Sequence, residues 1–241
     1  MSKKKKNIII STMLIIVAVL FTILVKVIDV KTVGLQGTEL GFSTINKFVF
    51  KTLGENKFWY QLSEWVGLIP IFMAACYGMT GVIQLKRRKS LLKVDKEIIA
   101  LGAFYVVVLA IYVLFEKVII NYRPVLVDGV LEASYPSSHT LMALCFAGSA
   151  IIINKKLFDN ERTKHMNKTL LGISLVIVIG RLLSGVHWFT DIIGGVLISS
   201  ALLMSFYTVI SIIPKKETEK KSVKNNNKST KNKTKSKKRK K

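Results

Sequence analysis

The sequence predicts an all-α, polytopic membrane protein: a bundle of six transmembrane helices with a disordered, basic C-terminal tail. Half of the 241 residues are hydrophobic, and the mean hydropathy is +0.40. The apolar residues form blocks of about 20, the length of helix that crosses a bilayer core roughly 30 Å thick. Six such blocks predict spans at about 8–28, 66–85, 98–116, 139–153, 169–183 and 191–213.

The distribution of lysine and arginine supports this number of spans. Four segments carry 29 of the 37 basic residues, and six spans place all four segments on one side of the membrane. The positive-inside rule makes that side cytoplasmic, so both termini are expected in the cytoplasm of a multi-pass cell-membrane protein. One span fewer would scatter the charge over both faces. The basic segments are 1–7, 86–97, 154–168 and 214–241.

The chain divides into three predicted parts. The first span follows KKKK and could be a signal peptide, but it is long for one and no A-x-A-like cleavage site follows it, which favours an uncleaved span. After it, segment 29–65 carries Trp59, Tyr60 and Trp65, whose rings suit a reentrant or amphipathic element at headgroup level. The parts are 1–59, the N-terminal span with an extracytoplasmic interfacial segment; 60–213, a helical core; and 214–241, the tail.

The tail, 214–241, carries more of the net charge of +23 than any other segment. It has almost no apolar residues, so it cannot form a core and is expected to be disordered. It has no aromatic residue on which a base could stack, and no specific nucleic-acid partner is expected. Anionic lipids of the inner leaflet are the partners that its charge favours.

The stretch RLLSGVHWFTDIIGG places Arg181, His187 and Asp191 between two apolar blocks. Charge at membrane depth is costly and indicates a functional site. His187 and Asp191 are four residues apart and share one face of a helical turn, so the carboxylate can accept the proton of one ring nitrogen and leave the other as a base or nucleophile. A structural His–Asp pair is the alternative. The planar fork of Arg181 suits phosphate oxygens, but it could also snorkel to the interface or pair with Asp191.

The stretch YPSSHT, residues 135–140, predicts the start of a helix. Pro136 fits the first turn, and the serines and threonine that follow are capping residues. Free backbone N–H groups at such a helix end favour an anion, and His139 could donate a proton to an oxygen that leaves it. Plain capping by Ser137 or Ser138 beside an interfacial histidine is the alternative.

Arg123-Pro124 follows the third predicted span, where proline ends the helix and the arginine lies near headgroup level. Alone it is an ordinary membrane-edge arginine. With the two preceding stretches it completes a site of two histidines, two arginines and a helix start on the extracytoplasmic side. Two-metal phosphatases need several metal ligands, and the nearby carboxylates are only Asp128, Glu132 and Asp191. We therefore predict phosphoryl transfer without a metal or another cofactor.

At these residues the sequence resembles the type 2 phosphatidic acid phosphatase superfamily of membrane lipid phosphate phosphatases, which includes undecaprenyl pyrophosphate phosphatases. The third motif of that family, Ser-Arg, five residues, His, three residues, Asp, appears at 180–191 as GRLLSGVHWFTD. The second, Pro-Ser-Gly-His, appears at 136–139 as PSSH, and the first, Lys, six residues, Arg-Pro, ends at Arg123-Pro124. The resemblance covers roughly 60–213, which makes that part a phosphatase-like core.

The sequence departs from the family at three motif positions. Ser138 replaces a glycine, and Gly180 replaces a serine, which removes one hydroxyl. The lysine position of the first motif holds Glu116, and Lys117 lies one residue later. Such a shift turns a helical side chain by about 100°, so which of these two residues takes the lysine position stays open.

The resemblance implies a role for each site residue. His187 would be the nucleophile that forms a phosphohistidine, and Asp191 would orient it. His139 would protonate the leaving group and then activate water. The phosphoryl oxygens would be bound by Arg123, Arg181, Ser137, Ser138 and Lys117, together with the backbone near His139.

The expected activity is that of a metal-independent lipid phosphate phosphatase whose substrate keeps its tail in the bilayer. The Lys-, Asn- and Ile-rich composition resembles that of a low-GC bacterium, where undecaprenyl pyrophosphate recycling for wall synthesis is the leading reaction. Phosphatidic acid and phosphatidylglycerol phosphate fit the same geometry. Two alternatives stay open: a lipid phosphotransferase that uses the same intermediate, and a non-catalytic lipid-binding or transport protein on the same scaffold.

Overall fold

The protein is described by a computed structural model that covers residues 1–158 and 160–214. Six of its helices are long and apolar enough to cross a membrane, which confirms the predicted number of spans. Most of the tail, 215–241, lies outside the described residues. The helices are α1 (Lys3–Val27), α2 (Ser43–Leu53), α3 (Lys57–Arg88), α4 (Lys96–Lys117), α5 (Ser138–Leu157), α6 (Glu161–Leu183) and α7 (Phe189–Ile212).

The helices extend beyond the apolar blocks at their polar ends. The fourth and fifth spans were predicted to be short, but α5 has 20 residues and α6 has 23. The side chain of Asn160 starts α6 early by accepting a hydrogen bond from the Thr163 backbone. Asn56 does the same for α3, which begins at Lys57 rather than near 66. An N-cap satisfies backbone donors whatever the hydropathy of the first turn. A capped helix can therefore begin before the apolar block from which the span was predicted.

The core lies where α5 packs between α6 and α7. Fully buried side chains of α5, including Leu141, Cys145 and Ile153, fill this region. Helix α1 packs along α7, and α3 packs along α5 and α6. Because successive spans alternate in direction, the C-terminal end of α6, the start of α7 and the start of α5 meet at one end of the bundle. The basic segment 86–97 joins α3 to α4 at the opposite end.

The segment between α1 and α3 is folded against the start of α7. It contains a two-strand hairpin, Lys31–Thr32 with Glu39–Leu40, and then α2. Within α2, Asn46 is fully buried; its Oδ1 accepts from the Thr190 backbone N–H at 3.1 Å, and its Nδ2 donates to the Thr190 hydroxyl at 2.9 Å. The α7 N-cap residue, Trp188, cannot supply that acceptor, so a side chain from α2 satisfies the helix end.

The turn between α6 and α7 is also held by this segment. Gly185 has φ +71° and its Cα lies so close to the Gly54 carbonyl that a Cβ would stand 2.3 Å from that oxygen. The Asn56 backbone N–H donates to the Ser184 carbonyl at 3.1 Å. Only glycine fits this close approach, and the contact fixes the chain on either side of it.

The aromatic residues expected at headgroup level lie in α3 rather than in α2. Trp59, Tyr60 and Trp65 all fall within Lys57–Arg88, and Trp65 is exposed along that helix. The predicted boundary near 59 between an interfacial segment and the core therefore falls inside α3.

Candidate active site

The three motif regions meet at one end of the bundle. The loop between α4 and α5 supplies Arg123, the start of α5 supplies His139, and the end of α6 supplies Arg181. The turn that follows supplies His187, and the first turn of α7 supplies Asp191. The Arg181 guanidinium links the two histidines: its Nη2 atom lies 3.5 Å from His187 Nε2, and its Nη1 atom donates to a carboxylate that also hydrogen-bonds His139.

His187 is buried, and its tautomer is set by its neighbours. The Nδ1 atom lies 3.1 Å from the Ser134 carbonyl oxygen, which can only accept, so we assign the ring proton to Nδ1. Burial lowers the pKa of His187 well below 6.5, and the positive charges of Arg123 and Arg181 lower it further. The ring is therefore neutral, with a lone pair on the Nε2 atom that faces Arg181.

Asp191 does not hydrogen-bond His187 directly, contrary to the expectation from the sequence. The two side chains are 3.9 Å apart, which is too long for a hydrogen bond. His187 precedes the N-cap Trp188, so its backbone lies outside α7 and the helical i, i+4 geometry does not apply. The Asp191 carboxylate instead accepts from the Trp188 backbone N–H at 2.8 Å and from Asn121 at 3.3 Å.

Ser134 joins Asp191 to His187. Its hydroxyl donates to Asp191 Oδ2 at 2.5 Å, and its Oγ lies 3.2 Å from His187 Nδ1. The serine is buried, so both contacts are shielded from water. The orientation of the imidazole thus depends on Ser134, which lies outside the three family motifs and which sequence reasoning missed.

Glu64 of α3 is a second site residue that sequence reasoning missed. Its Oε1 accepts from Arg181 Nη1 at 2.7 Å, and its Oε2 lies 3.1 Å from His139 Nε2. The Arg181 side chain is 0% exposed, and its guanidinium also lies over the Tyr60 ring at 5.3 Å. Arg181 therefore pairs with Glu64 and not with Asp191 or the interface. The pattern offered no signal, because residue 64 fell in a segment predicted to be interfacial.

Arg123 is nearly buried beside the site. Its Nε lies 3.1 Å from Glu132 Oε2, an ion pair without the angle of a hydrogen bond, since that buried Nε has no hydrogen-bond partner among the described residues. The Arg123 backbone N–H donates to the Glu132 carbonyl, which holds the loop in place. Its charge is close enough to lower the pKa of His187.

The serines of the second motif form the start of α5. Ser137 caps the helix by accepting from the Thr140 backbone at 3.4 Å, and its own N–H donates to the Asp191 carbonyl. Ser138, with Glu116 and His187, lines a small cleft. This arrangement brings the α5 start and the α7 start together at the His187 side of the site.

The two residues that compete for the first-motif lysine position differ in placement. Glu116 lines the cleft beside His187, whereas Lys117 is the last residue of α4 and does not line it. Both are exposed. The role of Lys117 in binding phosphate stays a prediction.

The glycine that replaces the serine of the third motif has a steric reason. A Cβ at Gly180 would lie 3.1 Å from the Ser63 Cβ of α3, closer than ordinary van der Waals contact. The close packing of α3 on α6 also sets Glu64, the next residue, beside Arg181. The loss of one motif hydroxyl thus accompanies the approach of a carboxylate.

Within residues 1–158 and 160–214, no three His, Cys, Asp or Glu side chains are grouped as metal ligands would be. The ionisable groups at the site include the guanidiniums of Arg123 and Arg181, two imidazoles and the Glu64 and Asp191 carboxylates, with Glu132 paired to Arg123 and Glu116 in the cleft beside His187. Two planar guanidiniums beside a neutral imidazole are suited to bind a phosphoryl group and stabilise charge on its oxygens.

Six membrane-length helices with this cluster at one end are the features expected of an integral-membrane phosphatase. The chain belongs to the PAP2 superfamily, whose family profile matches residues 71–213. It is thus a phosphatase of the lipid phosphate class, as the resemblance implied. Its fold is similar to that of a transmembrane PAP2 type phosphatidylglycerolphosphate phosphatase from Bacillus subtilis, with 17% identity and a TM-score of 0.61 over 86% of this chain and 98% of that one. No curated protein sequence matches the chain.

Proposed function

We propose that the protein is a metal-independent phosphatase that acts through a phosphohistidine on the extracytoplasmic face and removes phosphate from undecaprenyl pyrophosphate or a related lipid phosphate. The observation that carries the proposal is the Arg181 guanidinium, which stands between His187 Nε2 and the Glu64–His139 pair. A phosphoryl group on Arg181 would have a nucleophile on one side and a proton donor on the other.

The first chemical step is attack by His187. The lone pair of Nε2 forms a bond to phosphorus while the bond to the leaving oxygen breaks, and His139 gives its proton to that oxygen. The Nδ1–H of His187 stays hydrogen-bonded to the Ser134 carbonyl, so the positive charge that develops on the ring is stabilised. Asp191 stabilises that charge further through the Ser134 hydroxyl.

The second step releases phosphate. His139, now neutral, takes a proton from water as the water oxygen attacks phosphorus, and the bond to His187 Nε2 breaks. Arg123 and Arg181 hold the equatorial oxygens in both steps. The N–H groups at the start of α5, beyond its Ser137 cap, lie at the same end and favour the anion.

The sidedness follows from charge. The site lies at the end of the bundle opposite the basic segment 86–97, and the positive-inside rule assigns that segment to the cytoplasm. A lipid headgroup would then reach the site from the outer leaflet. Cysteine labelling of intact cells at exposed Val130, in the loop beside Arg123, tests this: a membrane-impermeant reagent should label Val130→Cys and not Leu92→Cys in the opposite loop.

The activity is tested by phosphate release from a panel of lipid phosphates in EDTA. The panel contains undecaprenyl pyrophosphate, phosphatidylglycerol phosphate and phosphatidic acid. Wild type should release phosphate in EDTA, and His187→Ala and His139→Ala should not. Equal rates in all three proteins would end the catalytic assignment, and loss of the wild-type rate in EDTA would end the metal-independent mechanism. Transfer to an added acceptor lipid in place of release would identify a phosphotransferase.

A further inference from the structure

Glu64 lies outside the three motifs and outside the residues matched by the family profile, 71–213. It is nonetheless the partner of both Arg181 and His139. Its carboxylate is half-buried in the bundle, where an unpaired charge is costly. The ion pair with Arg181 offsets that cost.

The contact with His139 decides which ring nitrogen faces the substrate. A carboxylate oxygen can only accept, so a hydrogen bond to Glu64 Oε2 assigns a proton to His139 Nε2. The other nitrogen, Nδ1, is buried and has no hydrogen-bond partner among the described residues. A buried ring nitrogen without a partner is costly unless a ligand supplies one.

Helix α3 is shaped to hold the ring in this pose. Gly67 lies one turn beyond Glu64, and a Cβ there would meet His139 Cδ2 at 3.5 Å. Residues three apart share a helix face, so one face of α3 both hydrogen-bonds the His139 ring and packs against it. Ser63, beside Glu64, packs on Gly180 of α6 and fixes the distance between the helices.

We propose that Glu64 is a positioning residue for the phosphatase reaction: it holds His139 as an imidazolium whose Nδ1–H points at the leaving oxygen. In the first step the Nδ1 proton moves to that oxygen as its bond to phosphorus breaks and the His187 Nε2–phosphorus bond forms. In the second step Nδ1 takes a proton from the attacking water. Throughout, the Nε2–H stays hydrogen-bonded to the Glu64 carboxylate.

The same carboxylate also orients Arg181. Its bond to Nη1 leaves Nη2 facing His187 Nε2 at 3.5 Å, and the buried Nε atom, which has no partner among residues 1–158 and 160–214, is available to a phosphoryl group. This effect supports phosphate binding for every substrate. On kcat/KM, which reports the steps up to release of the leaving group, the effect on His139 matters only when the leaving oxygen needs a proton. The two roles are therefore separable by the choice of leaving group. This inference rests on the proposed phosphatase function.

The test compares two substrates of the purified, full-length protein in detergent. Dodecyl phosphate has an alkoxide leaving group that must be protonated. The leaving group of p-nitrophenyl phosphate is p-nitrophenolate, which need not be protonated. We expect Glu64→Gln to lower kcat/KM for dodecyl phosphate about 100-fold more than for p-nitrophenyl phosphate, within the range of general acid catalysis. His139→Ala should show the same preference, and the double variant should lose little more than either single variant.

Matched variants separate positioning from folding. Glu161→Gln, at an exposed carboxylate in the opposite half of α6, should leave both rates unchanged. Gly67→Val adds γ-methyl groups to a Cβ that would already stand 3.5 Å from His139 Cδ2, so it should displace the ring and reproduce the selective loss, which keeps the test available if Glu64→Gln does not fold. Equal losses on both substrates in these variants would overturn the proposal and leave Glu64 as a structural partner of Arg181.

The outcome also separates this proposal from the proposed function. If His187→Ala abolishes release from both substrates but Glu64→Gln shows no preference, the phosphatase mechanism stands and the role of Glu64 is wrong. If His187→Ala hydrolyses both substrates at the wild-type rate, the mechanism itself is wrong and the Glu64 proposal falls with it.

Discussion

The serine between Asp191 and His187 gives the sharpest quantitative prediction. Ser134→Ala removes a 2.5 Å hydrogen bond to a fully buried carboxylate and a 3.2 Å contact to the imidazole, but it keeps the backbone carbonyl that accepts from His187 Nδ1. A hydrogen bond to a charged group contributes about 1.5–3 kcal/mol, so the variant should lose about 2 kcal/mol of folding free energy.

The same variant should lose activity. If the relay through the Ser134 hydroxyl stabilises the charge that develops on His187, about 2 kcal/mol of lost stabilisation corresponds to a fall in kcat of roughly 30-fold. The assays are thermal unfolding in detergent and phosphate release from a lipid phosphate. Ser174→Ala is the matched control, because the Ser174 hydroxyl is also buried but, within the described part of the chain, donates to its own helix at the Leu170 carbonyl.

The result for Ser134→Ala that would refute this reasoning is an unchanged kcat with lowered stability. It would mean that the serine holds the loop against α7 without tuning the nucleophile. An unchanged stability would instead show that the hydroxyl makes no net contribution, and the short distance would then carry no energetic meaning.

Three further predictions follow from burial and close packing. Burial and neighbouring cations lower the pKa of His187 below 6.5, so below that pH the folded protein binds fewer protons than the unfolded chain. The stability present above about pH 6.5 should therefore decline as the pH falls. In thermal unfolding, His187→Asn should flatten this decline. Gly180→Ser restores the motif serine but forces a contact with Ser63 that should cost about 1–3 kcal/mol, and adding Ser63→Gly should recover the loss. Asn46→Ala leaves the Thr190 N–H at the start of α7 without its acceptor and should lower the free energy of unfolding by about 1–3 kcal/mol. The control is Asn160→Ala, at an N-cap far from the site, which should lower stability with no effect on kcat.

The number of spans and the residues brought to one end of the bundle could be predicted from the sequence. The length of the apolar blocks predicts the number of spans, and the distribution of basic residues predicts which loops share an end. Neither prediction needs knowledge of how the helices pack. His187, Arg181 and Asp191 were predicted to lie together because they are close in the chain. His139 and Arg123 could be added because alternating spans place their loops at the same end.

The partners of those residues could not be predicted, because they depend on tertiary packing. Glu64 precedes Arg181 by more than 100 residues, and only the approach of α3 to α6 at Gly180 brings them together. The expected His187–Asp191 hydrogen bond was wrong because it assumed that His187 already belongs to the helix. In the structure α7 begins two residues after His187, at Phe189. A Ser134 hydroxyl fills the gap, and nothing in a loop sequence distinguishes such a serine from its neighbours.

The most direct test of the account is identification of the phosphorylated residue. His139→Ala retains the nucleophile but cannot activate water, so brief reaction with p-nitrophenyl phosphate, alkaline quenching and peptide mass spectrometry should find phosphate on His187. The same treatment of His187→Ala should find none. Phosphate on any other residue would contradict the claim that His187 is the nucleophile of this site. So would the absence of phosphohistidine from His139→Ala under conditions in which the wild type hydrolyses the substrate.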